Sequence, residues 1–329
     1  MDGATDPPAE LHEWLTATFG SVGAVREQTV IGVRNRATLE SSLIAPLRSR
    51  RPMDGHAGGP ELDAAIAATV GDPFCHPLIG TPANTFGRIS GRHMVTGANA
   101  AMADAHHAVL VFDRHDPLDF DYDLVADLLE TGRSWAERAR ETDTAAVHYT
   151  LLWNCLWRAG GSIIHGHGQA LLGRACTARL ERFRDDSQRY RREHADGLAM
   201  DLALLHGDLG LAIHPDGAVT TIASVTPIKE QELWVIGSAG MDERDPRFAT
   251  AVGDAVLGFR DRLGVTSFNL MLWRPPLDAA EDWRDVPPIV RLVDRGDPFG
   301  RPSDIGAMEL YGTPIVGSDP YDVVAAFAG

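Results

Sequence analysis

The apolar segments of this chain come round twice in the same order, and that repetition restricts the folds open to it. Residues 108–112 (AVLVF) read as a strand, and residues 123–140 as a helix with Leu124, Leu128, Leu129 and Trp135 at roughly helical spacing. Residues 147–153 and 162–172 read as two more strands. A highly charged surface helix is expected over 177–194, then a hairpin over 211–224 that turns at Pro215, Asp216 and Gly217. The first order then returns, as strand 232–236, helix 245–263, and strands 266–273 and 289–293. Two copies of a strand–helix–strand–strand unit predict an α/β (α+β) fold of two related halves. With no Pro/Ser-rich linker between them, the halves should share one sheet or core. The expected division is an N-terminal extension over 1–33, a first half over 34–195 and a second half over 196–329.

The last strand of the first copy holds the most informative run, Gly160-Gly161-Ser162-Ile163-Ile164-His165-Gly166-His167-Gly168-Gln169. In an extended segment alternate side chains share a face, so His165, His167 and Gln169 project to one side. The intervening glycines carry no side chain, and a bulky anion is expected to approach the backbone there. Such a row supplies one imidazole to attack, one to brace the first or bind a metal, and an amide to hold a phosphoryl oxygen. Read alone, a His-x-His triplet is usually an exposed Gly-rich loop; the glutamine and the flanking strands favour chemistry. At the matching place the second copy has Pro287-Pro288-Ile289-Val290-Arg291, so only the first half is expected to be chemically active.

A formal net charge of -16 argues against nucleic acid or an anionic membrane as a partner. No apolar run approaches the roughly 20 residues of a membrane span, and residues 1–8 lack the basic and apolar regions of a secretory signal. Cys75, Cys155 and Cys176 form no even disulfide framework, which fits a reducing, cytoplasmic setting. Against the acidic background, Arg26, Arg34, Arg36, Arg48, Arg50 and Arg51 outnumber Glu27 and Glu40, a local excess that reads as an anion-binding patch or a solvated loop face.

Several of these segments together resemble one family. They are Leu43-Ile44-Ala45-Pro46-Leu47-Arg48-Ser49-Arg50-Arg51-Pro52, Asp72-Pro73-Phe74-Cys75, the strand end from Val109 to His115, Asn154 placed ahead of His165, the HGHGQ run, and Ala307-Met308-Glu309-Leu310 before Tyr311-Gly312-Thr313. In this order they resemble the galactose-1-phosphate uridylyltransferase family of the histidine-triad superfamily. The resemblance implies two fused histidine-triad-like halves around a largely antiparallel sheet, with a nucleotide at the histidine strand. It implies a nucleotidyltransferase in which His167 attacks the α-phosphorus of a nucleotide sugar or similar diphosphate. The nucleotidyl group then passes to a phosphorylated small molecule. Gln169 would hold a non-bridging phosphoryl oxygen, and His165 would support the nucleophile. Arg48, Arg51, Gly160, Gly161 and Ser162 would bind phosphate, Asn99 the base, Glu309 a sugar hydroxyl, and Asn154 would support the strand.

By the same resemblance Asp72, Cys75, His115 and His165 form a structural zinc site or its empty vestige. Aspartate replaces one of the family's cysteines, and His76 is a competing ligand. The family's second metal site and any organic cofactor are not expected. The family's sugar-phosphate lysine has no counterpart among residues 302–305, which speaks against galactose 1-phosphate as the acceptor. A nucleoside-diphosphate or dinucleotide phosphorylase, a histidine-triad hydrolase and a non-catalytic nucleotide-binding protein stay open, as does a homodimeric assembly.

Overall fold

The structure is a computed structural model, and it describes residues 1–50, 59–213, 217–279, 281–300, 306, 310 and 312–328. Arg51, Pro215, Asp216 and Glu309 therefore lie outside the described residues. The elements in chain order are β1 (Asp2–Ala4), α1 (His12–Phe19), α2 (Val22–Arg26), β2 (Glu27–Thr29), β3 (Ile31–Arg34), β4 (Ser41–Ile44), α3 (Pro60–Ala67), α4 (Pro77–Gly80), β5 (Met94–Ala98), β6 (His106–Phe112), α5 (Tyr122–Thr142) and β7 (His148–Asn154). They continue with β8 (His167–Gly173), α6 (Ala178–Glu193), α7 (Leu198–Asp208), β9 (Thr220–Ala223), β10 (Leu233–Ile236), α8 (Pro246–Asp261), β11 (Phe268–Trp273), β12 (Ile289–Asp294), β13 (Ile315–Val316) and α9 (Pro320–Ala328). Among the described residues no helix is long and apolar enough to cross a membrane.

The halves do share a sheet. Its 8 strands run in the order β5-β6-β8-β7-β11-β12-β10-β9, every neighbouring pair antiparallel. From either edge inward the order is the same, so a pseudo-twofold passes between β7 and β11, where Leu152 faces Met271. Followed outward, one row of paired residues runs Leu152, Gln169, Val109 on one side and Met271, Arg291, Trp234 on the other. Paired residues point to the same face, so Arg291 stands where the first half has Gln169. By the same offset Ile289 answers to His167.

One face of the sheet carries α5 and α8. Asp121 caps α5 by accepting from the Leu124 N–H, and Asp245 caps α8 by accepting from Arg247 ahead of a first-turn proline. Leu124, Leu128, Leu129 and Trp135 of α5 pack with Phe248, Val252 and Phe259 of α8 against Ala170, Leu172, Leu270 and Leu272. The other face differs between the halves. Over the second half, α6 and α7 bring Leu180, Phe183, Leu198 and Ala203 onto Trp234, Trp273 and Ile289. Within that cluster the Arg291 guanidinium lies 4.2 Å from the Trp234 ring centroid and 4.9 Å from that of Trp273. It also bonds Glu232 at 2.7 Å and Glu40 at 2.9 Å. The second half is thus filled where the first half presents His167 and Gln169.

Two expectations need correction. The strand over 162–172 begins only at His167; residues 162–166 are irregular, with bends at Ser162, Ile163 and His165. Leu156 takes a positive φ of 66°, and a Cβ at Gly161 would lie 2.9 Å from the Leu156 carbonyl oxygen, so the chain folds tightly back before entering β8. Gly166 and Gly168 also face packed neighbours rather than open space for a bulky anion. A Cβ at Gly166 would meet Phe112 Cδ2 at 2.8 Å, and one at Gly168 would meet Leu128 Cδ1 at 2.6 Å. They are small so that the strand can seat against the core, with α5 directly beneath Gly168.

Candidate active site

His167 and Gln169 lie on β8 and project away from α5, as the alternation at Gly168 requires. The His167 ring is buried, 6% exposed, beneath Phe74, whose ring meets it edge-on with centroids 5.0 Å apart. Its Nδ1 is 2.8 Å from the His165 carbonyl oxygen. A carbonyl can only accept, so Nδ1 carries the proton and Nε2 keeps a free lone pair. Burial pushes the imidazole below its ordinary pKa, partly opposed by that hydrogen bond. A neutral, oriented ring with one unengaged lone pair is a nucleophile in form.

His165 turns its Nε2 to the Phe112 carbonyl at 2.9 Å, which leaves its Nδ1 as the free lone pair. His115 does the same, with Nε2 3.1 Å from the Ile66 carbonyl. The two Nδ1 atoms then face each other at 3.1 Å, with Cys75 Sγ 3.3 Å from the first ring's partner His115 and 3.6 Å from His165. Asp72 Oδ1 lies 3.9 Å from His165 Nδ1 and also accepts from the Phe74 and Cys75 N–H groups. Its Oδ2 is buried without a partner among the described residues.

Two facing lone pairs, a sulfur and an orphaned carboxylate oxygen repel one another unless a cation lies among them. One ligand atom from each of Asp72, Cys75, His115 and His165 falls within 4.8 Å of every other, whereas His76 is not in the group. Tetrahedral zinc with nitrogen and sulfur ligands separates ligand atoms by about 3.3–3.6 Å, close to the imidazole and thiol spacings here. The four residues therefore fit a metal ion.

The remaining expected residues are spread around this centre. Asn154 ends β7 and accepts from Asn269 Nδ2 at 2.7 Å; the same Asn269 donates to the Ala159 carbonyl at 2.8 Å. This pins the loop that holds Gly160, at φ 91°, the enclosed Gly161 and the exposed Ser162. Asn99 follows β5 and spends Oδ1 on the Ala101 N–H at 2.9 Å. Arg48 lies in the turn Pro46–Arg50, which follows β4 of a separate sheet ordered β13-β4-β3 and sets Ser49 close against Gly317. It is not on the histidine strand's sheet.

One residue was missed. His107 on β6 is buried, 4% exposed, and its Nε2 is 2.9 Å from Gln169 Oε1. The signal was in the alternation of His107, Val109 and Val111 on β6, but only the register against β8 shows what that face meets.

No protein-family model matches this sequence, and no curated protein matches it. Solved structures do. ADP-glucose phosphorylase from Arabidopsis thaliana with bound ADP-glucose aligns at TM-score 0.67 and 14% identity, over 91% of this chain and 98% of that one. A galt-like protein from Arabidopsis thaliana aligns at TM-score 0.67 and 14% identity over the same shares, 91% and 98%. A uridylyltransferase aligns at TM-score 0.59 and 16% identity, over 91% of this chain and 97% of that one. The chain has the fold of these proteins, the fold its motifs led one to expect.

Proposed function

We propose that this chain is a nucleotidyltransferase that passes a nucleoside monophosphate through a covalent bond to His167. The observation that carries the reading is the His167 ring, locked with its Nδ1 proton on the His165 carbonyl and its Nε2 lone pair free. In the first half-reaction Nε2 attacks the α-phosphorus of a nucleotide sugar or comparable diphosphate. The P–O bond to the departing sugar phosphate breaks, and no proton need leave the ring. The His165 carbonyl stabilises the positive charge that develops there. In the second half-reaction an oxygen of a phosphorylated acceptor attacks the same phosphorus, the P–N bond breaks, and the neutral imidazole returns. Gln169 donates to a non-bridging oxygen in both steps. Ser162, the Gly160-Gly161 backbone, Arg48 and Arg51 serve the outgoing and incoming phosphates, Asn99 the base and Glu309 the sugar. The fold of ADP-glucose phosphorylase and of a uridylyltransferase supports this class of reaction.

Asp72, Cys75, His115 and His165 would hold a zinc ion, which when bound supplies a tetrahedral cross-link rather than a reacting centre. Its effect on the chemistry runs through His165, whose carbonyl orients His167. Residues 34–195 and 196–329 are read as related halves, the second with its chemistry replaced by the Arg291 cluster.

Discharge of the same intermediate to inorganic phosphate is the second reading. It is favoured by the likeness to ADP-glucose phosphorylase and by the missing lysine at 302–305. Product analysis on a panel of nucleotide sugars, with water, phosphate or a sugar phosphate as the only acceptor, separates the readings. Transfer to sugar phosphate supports the first, nucleoside diphosphate formed from phosphate the second. Release of nucleoside monophosphate at one rate whatever the acceptor would make the protein a hydrolase instead.

A further inference from the structure

Gln169 can assist transfer only if its NH2 group, not its carbonyl, faces the phosphoryl oxygens, and an amide has no intrinsic preference between the two. The surrounding bonds settle which way it points. The Ala103 N–H donates to His107 Nδ1 at 3.1 Å, so that nitrogen must carry a lone pair. In a neutral ring the proton is then on Nε2, which lies 2.9 Å from Gln169 Oε1. Asn99 Nδ2 also lies 3.2 Å from Nε2, but two donors cannot share one hydrogen-bond line; Asn99 is held in place by its Oδ1 on Ala101 and acts as a neighbour. Rotating Gln169 by half a turn would set a second NH2 beside that of Asn99 and leave the buried His107 N–H with no acceptor at all.

Resting on the nucleotidyl-transfer reading, we propose that His107 is a positioning residue that holds Gln169 by its carbonyl and so keeps the NH2 group turned to the reacting phosphorus. The chain of command runs from the backbone at Ala103 through His107 to Gln169. It does not involve the metal-fitting cluster, and it explains a buried histidine that the proposed mechanism does not otherwise use.

Two measurements test this. Nitrogen-15 histidine spectra of the intact protein should show His107 as the Nε2–H tautomer, with a proton signal that shifts and exchanges faster in Gln169→Ala. The Nδ1–H tautomer, or a signal indifferent to Gln169, would overturn the proposal even if the protein transfers no nucleotide. For kinetics, His107→Phe should slow nucleotidylation roughly ten- to a hundred-fold, within the range of a lost transition-state donor, with a much smaller change in KM. In a Gln169→Ala background the same substitution should cost under about two-fold, since the two act as a unit. His107→Gln, which sets an amide N–H near the Nε2 position, should recover most of the rate. Additive losses, or His107→Phe at wild-type rate, would overturn the assignment. Should His107→Phe fail to fold, the spectra and His107→Gln decide. Absence of any wild-type transfer would count against the nucleotidyl reading alone.

Discussion

Gly168→Ala separates two explanations for a glycine between catalytic-looking neighbours. If the position is kept bare for a ligand, an added methyl blocks substrate and leaves stability alone. The structure says the reverse. The new Cβ would lie 2.6 Å from Leu128 Cδ1 and 3.5 Å from the Leu152 carbonyl oxygen. Ordinary carbon–carbon contact is about 3.5–4.0 Å, so close to an ångström must be found. Leu128 is 1% exposed on α5 and cannot swing into solvent. Overpacking of this kind costs about 1–3 kcal/mol, offset by about 0.5–1 kcal/mol from replacing a strand glycine. The net expectation is about 0.5–2 kcal/mol of lost stability in urea unfolding. The partner substitution sharpens the test. Leu128→Ala alone should cost about 2–5 kcal/mol. In that background Gly168→Ala should cost nothing, because the methyl enters the space just vacated. Gly168→Ala with unaltered stability and a raised KM would refute the packing argument and restore ligand approach as the reason for the glycine.

Three further outcomes follow from other parts of the molecule. Cys75→Ala and His115→Ala should each abolish bound zinc by elemental analysis and lower the melting temperature, while His167→Ala keeps the metal; equal zinc in all three would contradict the ligand assignment. Glu232→Gln leaves Arg291 between two tryptophans with Glu40 as its remaining carboxylate and should cost about 1–3 kcal/mol in urea unfolding, whereas a change below about 0.5 kcal/mol would show the pair to be incidental. Arg48→Lys keeps the charge but not the planar fork, and should raise KM for the nucleotide substrate; unchanged kinetics would return that turn to a solvated surface role.

The regular parts of the fold were legible because their periods are clean. The helices α5 and α8 and the strands β6, β7, β11 and β12 lie within a few residues of the expected ranges. The match of Pro287 through Arg291 to the histidine run also holds, since strand pairing sets Arg291 opposite Gln169 across the pseudo-twofold. Helix α7 was not legible: Leu198–Asp208 has apolar residues around most of its circumference, with Met200, Leu204 and Leu205 exposed, so it shows no helical stripe. The irregular stretch over 162–166 is not legible because Ile163 and Ile164 look like strand residues, while its conformation is set by the tight fold-back of Gly161 onto Leu156 and by the contact of Gly166 with Phe112 and Arg114, some fifty residues away. The metal-fitting group was named through resemblance alone. No spacing joins Asp72 and Cys75 to His115 and His165, which only the packing of the turn at Pro73–Cys75 against the head of β8 brings together. His107 was hidden for the same reason, since its partner is 62 residues away.

The central claim is that His167 becomes covalently nucleotidylated, and the direct measurement is label on that ring. Wild-type protein incubated with α-phosphorus-labelled ADP-glucose, UDP-glucose and dinucleotides should, once denatured, retain label that is acid-labile and base-stable, as a phosphoramidate is. Peptide mapping should place it on His167, and His167→Ala should carry none while still folding and holding metal. Full labelling of His167→Ala, or turnover by the wild type with no label at any time, would contradict the account.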